Sequence, residues 1–263
     1  MDLLLKDKIA VITGASRGLG AATAHALAAE GTKLMLTARD RTALQSQADT
    51  ISKTHGVQVE IAPVDLTQDS ACDDVAKACL ETFGKIDILI NSAGASQGGL
   101  FWEIPDHVWR DSMELKVMAT IRMMRAVIPS MLENKYGRIV NIVGNTGVQP
   151  SPRLLPGSAA NAALLAVTTG LGEELAPHNV VVNALNPGPT RTERWTTLMD
   201  NLAKSSGRTV AEVESDYTAQ IPMDRLGQPE EIARLAVFLA SDRAANMTGT
   251  YLTADGGWTK GIA

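Results

Sequence analysis

At 263 residues and a formal net charge of −5, the chain has the length of one large α/β domain and lacks the basic excess of a nucleic-acid-binding surface. Hydrophobic residues at 45% and charged residues at 20% are ordinary for a globular protein, which makes a small molecule the expected partner. No run approaches 18 uninterrupted apolar residues, and Met1-Asp2-Leu3-Leu4-Leu5 lacks the basic start and long apolar stretch of a signal peptide. No membrane partner and a cytoplasmic location are therefore expected.

Apolar runs bounded by turn residues alternate with amphipathic stretches along the chain. In order, the pattern predicts a strand at Ile9–Thr13, a helix at Gly18–Glu30, a strand at Lys33–Ala38 and a helix at Arg41–His55. A strand at Val57–Pro63 then leads to a helix at Gln68–Phe83, which carries both cysteines. Cys72 and Cys79 lie seven apart there, about 10 Å by helical rise, too far for a disulfide and suited to a reducing compartment. A strand at Ile86–Asn91, a long helix at Trp109–Leu132, a strand at Gly137–Ile142 and a helix at Ser158–Leu175 follow. The series closes with strands at Val180–Asn186 and Thr250–Thr253 around a helix at Pro229–Leu239. Near-continuous apolar strands joined by helical crossovers require a parallel sheet covered on both faces. The fold expected is a Rossmann-type, doubly wound α/β structure with a seven-stranded parallel sheet, in a single domain spanning 1–263. Only 188–225 breaks the rhythm, a lid-like insertion with Trp195, Met199 and a short helix near Val210–Tyr217.

The first strand runs directly into Gly14-Ala15-Ser16-Arg17-Gly18-Leu19-Gly20 and a helix. Glycines there permit a tight turn and close backbone approach, so that a pyrophosphate can sit on exposed amides at the helix N-terminus. By itself such a turn is also just a strand-to-helix bend.

The Gly-x-x-x-Gly-x-Gly spacing resembles the short-chain dehydrogenase/reductase family, and the resemblance extends along essentially the whole chain. Asn91-Ser92-Ala93-Gly94 is similar to that family's Asn-Asn-Ala-Gly, with Ser92 as a departure. Val64-Asp65-Leu66 resembles its adenine-contacting segment, Asn186-Pro187-Gly188-Pro189-Thr190-Arg191-Thr192 its carboxamide-holding loop, and Asp255-Gly256-Gly257 its closing motif. The resemblance implies a cofactor held by Gly14, Ser16, Arg17, Gly18, Leu19, Gly20, Arg39, Asp65, Leu66, Asn91, Ala93, Gly94, Asn161, Pro187, Gly188, Thr190 and Thr192. The second strand ends Leu36-Thr37-Ala38-Arg39-Asp40, with no acid at Thr37 or Ala38 for a ribose diol. Arg39 and Arg17 are placed to pair with an extra phosphate, so NADP(H) is preferred over NAD(H).

The family's chemistry relies on a serine, a tyrosine and a lysine four residues after the tyrosine. Aligned to this chain, those positions hold Gly144, Gly157 and Asn161, none of which can perform that proton transfer. The chain's three tyrosines, Tyr136, Tyr217 and Tyr251, lie elsewhere, and Tyr217 reads as an exposed helix residue. Seven after Trp109, where many members carry asparagine, stands Lys116. The pair thus looks exchanged, with lysine on the fourth helix and asparagine on the fifth. The bland alternative leaves Lys116 as an aliphatic stem with its head in water. Apolar flanks Leu115, Val117 and Met118 favour burial instead, and a buried ammonium needs a reason.

Candidate catalytic residues are therefore Lys116, Asn161 and Asn145, with Ser158 a further possible oxygen-orienting group and Trp195 a possible apolar wall. Gly144 and Gly157 are expected to enlarge the pocket. His25, His55, His107 and His178 have no metal-ligand spacing, and no metal site is expected. The reading is an NADP(H)-dependent oxidoreductase of an alcohol/carbonyl pair with a rearranged site. Its alternatives are a non-catalytic dinucleotide sensor or partner subunit, and a non-redox enzyme on the same fold. A homo-oligomer, tetramer or dimer, is expected from the resemblance.

Overall fold

The computed structural model describes residues 2–95 and 97–260. Seven strands among these residues form one parallel sheet in the order β3-β2-β1-β4-β5-β6-β7. They are β1 Ile9–Thr13, β2 Lys33–Ala38, β3 Val59–Pro63, β4 Ile88–Asn91, β5 Gly137–Ile142, β6 Val180–Pro187 and β7 Tyr251–Ala254. The strands hold so many β-branched and apolar residues because both faces are covered. Along β1, Ala10 and Ile12 pack to one side while Ile9 and Val11 pack to the other. One layer contains α1 Gly18–Ala29, α2 Arg41–His55 and α9 Pro229–Leu239, contributing Leu27, Leu44, Ile51 and Ile232 to a shared core. The opposite layer contains α3 Ala71–Phe83, α5 Ala119–Glu133 and α6 Leu155–Leu175, contributing Val75, Met123, Val127 and Leu175.

Sequence reading and structure part company at several places. The predicted Trp109–Leu132 helix is α4 Asp106–Ser112, a π-helical segment Met113–Met118 and then α5. A wider turn leaves apolar spacing nearly intact over so few residues, so periodicity does not register it. Helix α6 begins at Leu155 rather than Ser158, because Pro156 in its first turn is compatible with a helix start. Strands β3 and β4 each begin two residues later than predicted.

The insertion holds two helices where sequence showed one: α7 Glu193–Ser206 and α8 Val210–Thr218. Thr192 caps α7 by accepting from the Trp195 amide, and a reciprocal Thr209–Glu212 capping box starts α8. Trp195, Met199, Ala203, Val213, Ile221 and Leu226 form a small core of their own. Tyr217 is half-buried, its ring 5.5 Å from that of Trp195 in an edge-on arrangement. The expectation of an exposed Tyr217 is corrected accordingly, since each aromatic buries its apolar area against the other.

Cys72 and Cys79 are buried free thiols of α3. No described helix is long and apolar enough to cross a membrane, and the described residues contain no cluster of potential metal ligands.

Candidate active site

In the strand order, connections leave β1 and β4 in opposite directions, opening a crevice at their carboxyl ends where doubly wound sheets receive ligands. The glycine turn and the Asn91–Gly94 segment face each other across it. Gly14 has φ +66°, and a Cβ there would stand 2.9 Å from the Ala93 nitrogen and the Ser92 carbonyl. A Cβ on Gly20 would collide with the Gly14 carbonyl. These glycines let three backbone segments meet, and α1 opens from Arg17 with no side chain capping its first amides. Buried polar atoms lacking a partner occur at Thr37 Oγ1, Asn91 Oδ1, Asn161 Oδ1 and both amide atoms of Asn186. A polar ligand that replaces water on such groups removes a substantial penalty. The cradle and its unsatisfied groups fit a dinucleotide.

The other candidate cofactor residues fall around this crevice with differing commitments. Thr13 Oγ1 accepts from the amides of Ser92 and Ala93, pinning β4's exit to β1. Asn91 Nδ2 donates to Asn141 Oδ1, leaving its own oxygen unpaired. Asp65 accepts from the Thr67 amide and hydroxyl, bonds that hold its carboxyl below the ordinary aspartate value, helped by the Arg39 charge. Leu66 is buried in the core, so only its backbone is available to a ligand. Thr190 donates to the Gly188 carbonyl, while Thr192 serves as the α7 cap. Pro187 ends β6, Leu19 packs on the α1 side of the core, and Ser16 is half-buried in the glycine turn. Arg17 forms an exposed 3.8 Å ion pair with Glu193, which ties the glycine turn to the start of α7.

Lys116 lies in the π-helical segment and is 9% exposed. Its Nζ donates to the Val143 carbonyl at 3.5 Å, a long bond, and its stem lies against Gly94. Burial, reinforced by the Arg194 charge, pushes its pKa down to about 8. Among the described residues, no carboxylate lies within ion-pair distance of it.

Asn161, also buried, donates from Nδ2 to Thr146 Oγ1 at 2.9 Å and to the Gly144 carbonyl at 3.5 Å. Lys116 and Asn161 thus approach the same stretch, residues 143–146, from different helices. The enlargement expected at Gly144 is corrected by this contact. A Cβ on Gly144 would stand 2.9 Å from Asn161 Nδ2, and φ there is +126°. Asn161 fills the space that the missing side chain leaves.

Asn145 donates to Asp255 Oδ2 at 3.3 Å. Ser158 accepts from the Ser151 amide and donates to the Leu154 carbonyl, so its hydroxyl is committed to the start of α6. Two further residues enter the site, one of them in the Glu193-Arg194-Trp195 run that follows the carboxamide-loop motif and was expected at the substrate entrance, the other unforeseen. Arg194, exposed on α7, donates from Nη1 to the Gly94 carbonyl at 3.3 Å, and Thr146 holds the Asn161 amide. Arg194 was legible from its place directly after the carboxamide-loop motif. Thr146 had no such signal, since hydroxyls of this kind are common in turns.

The family model described as enoyl-(acyl carrier protein) reductase matches residues 14–259. The chain is 33% identical to the 3-oxoacyl-(acyl-carrier-protein) reductase of Vibrio cholerae, over 96% of this chain and 98% of that protein. It is 32% identical to the monensin polyketide synthase putative ketoacyl reductase of Streptomyces virginiae, over 95% and 97% of the respective chains. The crystal structure of L-sorbose reductase from Gluconobacter frateurii, complexed with NADPH and L-sorbose, superposes with a TM-score of 0.95 at 33% identity and full coverage of both chains. The protein belongs to the short-chain dehydrogenase/reductase family.

Proposed function

We propose that this protein is an NADP(H)-dependent oxidoreductase of an alcohol/carbonyl pair with a rearranged active site. In this reading Gly144, Gly157 and Asn161 stand at the family's serine, tyrosine and lysine positions, and Lys116 at its asparagine position. The observation that carries it is a buried ammonium, bonded to the Val143 carbonyl and facing the same segment as Asn161. Membership of a family whose similar members include NADPH-complexed and ketoacyl reductases supports both the redox class and the cofactor. Arg17 and Arg39, with no acid at Thr37 or Ala38, supply the charge for an additional phosphate.

Bound in the crevice, the dihydronicotinamide would supply a hydride to the carbonyl carbon. The chain's part is positioning and proton management. Lys116 Nζ–H would donate to the carbonyl oxygen as its negative charge develops, at an acidity matched to neutral pH. Asn161 would hold a ribose hydroxyl through its unpaired Oδ1. Asn145, fixed by Asp255, would border the substrate oxygen. Segment 188–225 would act as the lid of a single domain. Trp195 and Met199 pack within that lid's own core, which favours a working pocket over a sensor whose site is plugged by them. A cytoplasmic homo-oligomer, tetramer or dimer, with a small-molecule substrate completes the proposal.

Fluorescence titration with NADPH and NADH, followed by stopped-flow oxidation of NADPH by ketones, quinones and diones, tests it in wild type and Lys116→Ala. Tight NADPH binding with Lys116-dependent oxidation is expected. Binding without transfer to any acceptor would overturn the redox assignment, and absence of binding would overturn the cofactor site.

A further inference from the structure

Just beyond β5, Gly144-Asn145-Thr146-Gly147 makes a short turn, closed by a bond from the Gly147 amide to the Gly144 carbonyl. Its two glycines leave room for one side chain of α6. A Cβ on Gly144 would stand 2.9 Å from Asn161 Nδ2, and a Cβ on Gly147 would stand 3.0 Å from Asn161 Cβ. The turn therefore wraps the Asn161 amide closely. Its own position is fixed from the other side, where Asn145 donates to Asp255 Oδ2.

The orientation of the amide follows from its partners. The Gly144 carbonyl can only accept, so the nitrogen end of Asn161 faces it, at 3.5 Å. The reverse orientation would set two acceptor oxygens against each other. That bond is long, however, and an asparagine amide turns easily about its last torsion. The short bond is the one to Thr146 Oγ1, at 2.9 Å, in which the hydroxyl serves as acceptor. Both bonds draw Nδ2 into the turn. Oδ1, at the opposite corner of the planar amide, is buried and has no partner among the described residues.

We propose that Thr146 is a positioning residue for the nucleotide: its hydroxyl locks the Asn161 amide so that Oδ1 is presented to the nicotinamide ribose. This rests on the reading of Asn161 as the group that holds a ribose hydroxyl. An acceptor serves a ligand best when its direction is set before binding by groups behind it. Thr146 supplies that support with a hydroxyl, and the glycine at 144 supplies the space, since a side chain there would press on Nδ2. Thr146 acts through Asn161 and takes no part in hydride or proton transfer.

The test is calorimetric titration with NADPH and with adenosine 2′,5′-bisphosphate, which carries the phosphorylated adenosine half and no nicotinamide ribose. Thr146→Val should weaken NADPH roughly 5- to 10-fold, as expected for one neutral hydrogen bond, and leave the bisphosphate unchanged. Thr146→Ser, which keeps the hydroxyl, should restore NADPH affinity. In an Asn161→Ala background Thr146→Val should cost nothing further, because the amide it holds is gone. Unchanged NADPH affinity in Thr146→Val overturns the proposal. So do equal losses for the two ligands, failure of Thr146→Ser to restore binding, or losses that add in the double variant. Asn161→Ala separates this inference from the reading beneath it. Full NADPH affinity in that variant removes Asn161 from the ribose and Thr146 with it. Weakened binding in Asn161→Ala with full binding in Thr146→Val removes the positioning role alone.

Discussion

Replacing the buried ammonium by an apolar side chain of similar shape, Lys116→Met, should make the protein more stable and less active. The pKa of Lys116 falls from 10.5 to about 8 on folding, with burial as the main cause and the Arg194 charge as the second. The unfolded chain therefore holds a proton between these values that the folded chain releases. Stability rises with pH across that interval, and the full penalty applies below about pH 8. At about 1.4 kcal/mol per pKa unit, the charged lysine costs the fold about 3 kcal/mol at pH 7. Loss of the long bond to Val143 takes back about 1 kcal/mol, leaving a net gain of about 2 kcal/mol. For a chain of this size that is a rise in Tm of roughly 4–8 °C. Scanning calorimetry of both proteins at pH 7 and pH 10.5 measures it. The gain should shrink at the higher pH as the wild-type lysine sheds its proton. A lower Tm for Lys116→Met at pH 7, or a gain that does not change with pH, would refute the picture of a desolvated cation.

The same titration should appear in turnover: carbonyl reduction holds steady below about pH 8 and declines above it, and a profile flat to pH 10 would remove Lys116 as proton donor. Arg17→Ala and Arg39→Ala should each weaken NADPH roughly 10-fold while leaving NADH nearly unchanged in fluorescence titrations. Equal losses for the two nucleotides would show that neither arginine reads the extra phosphate. Gly14→Ala places a Cβ 2.9 Å from Ala93 and Ser92 at φ +66°, so nucleotide binding should be lost along with about 1–2 kcal/mol or more of stability. Full-affinity NADPH binding by that variant would contradict the cradle. Introducing a serine by Gly144→Ser should lower both stability and any activity, because φ is +126° and Asn161 Nδ2 is 2.9 Å from the new Cβ. A gain in activity would show that the serine position is open after all.

What the sequence carried best were features with a fixed period or an unusual backbone. Strands such as Ile9–Thr13 and Lys33–Ala38 were legible to the residue because apolar runs bounded by turns have few alternatives. Lys116 and Asn161 could be read only as a pair of odd residues, whereas their approach to residues 143–146 depends on the packing of α6 against the 145–147 turn and the π-helical segment. The π-helical segment that carries Lys116 was invisible, since one widened turn alters hydrogen bonding more than it alters apolar spacing. Helix α7 was hidden for another reason. Its apolar residues serve a small core within the insertion, so its pattern did not point to the main sheet. Partners made by backbone carbonyls, such as Val143 for Lys116 and Gly94 for Arg194, leave no trace in residue type.

The central claim is that a relocated lysine drives NADPH-dependent carbonyl reduction on this fold. Anaerobic single-turnover absorbance, following NADPH consumption by a panel of ketones, quinones and diones in wild type and Lys116→Met at pH 7, tests it most directly. Rapid oxidation in wild type is expected, slowed about 10²-fold or more in a variant that still binds NADPH. Oxidation at the same rate in both proteins, or in neither while NADPH remains bound, would contradict it.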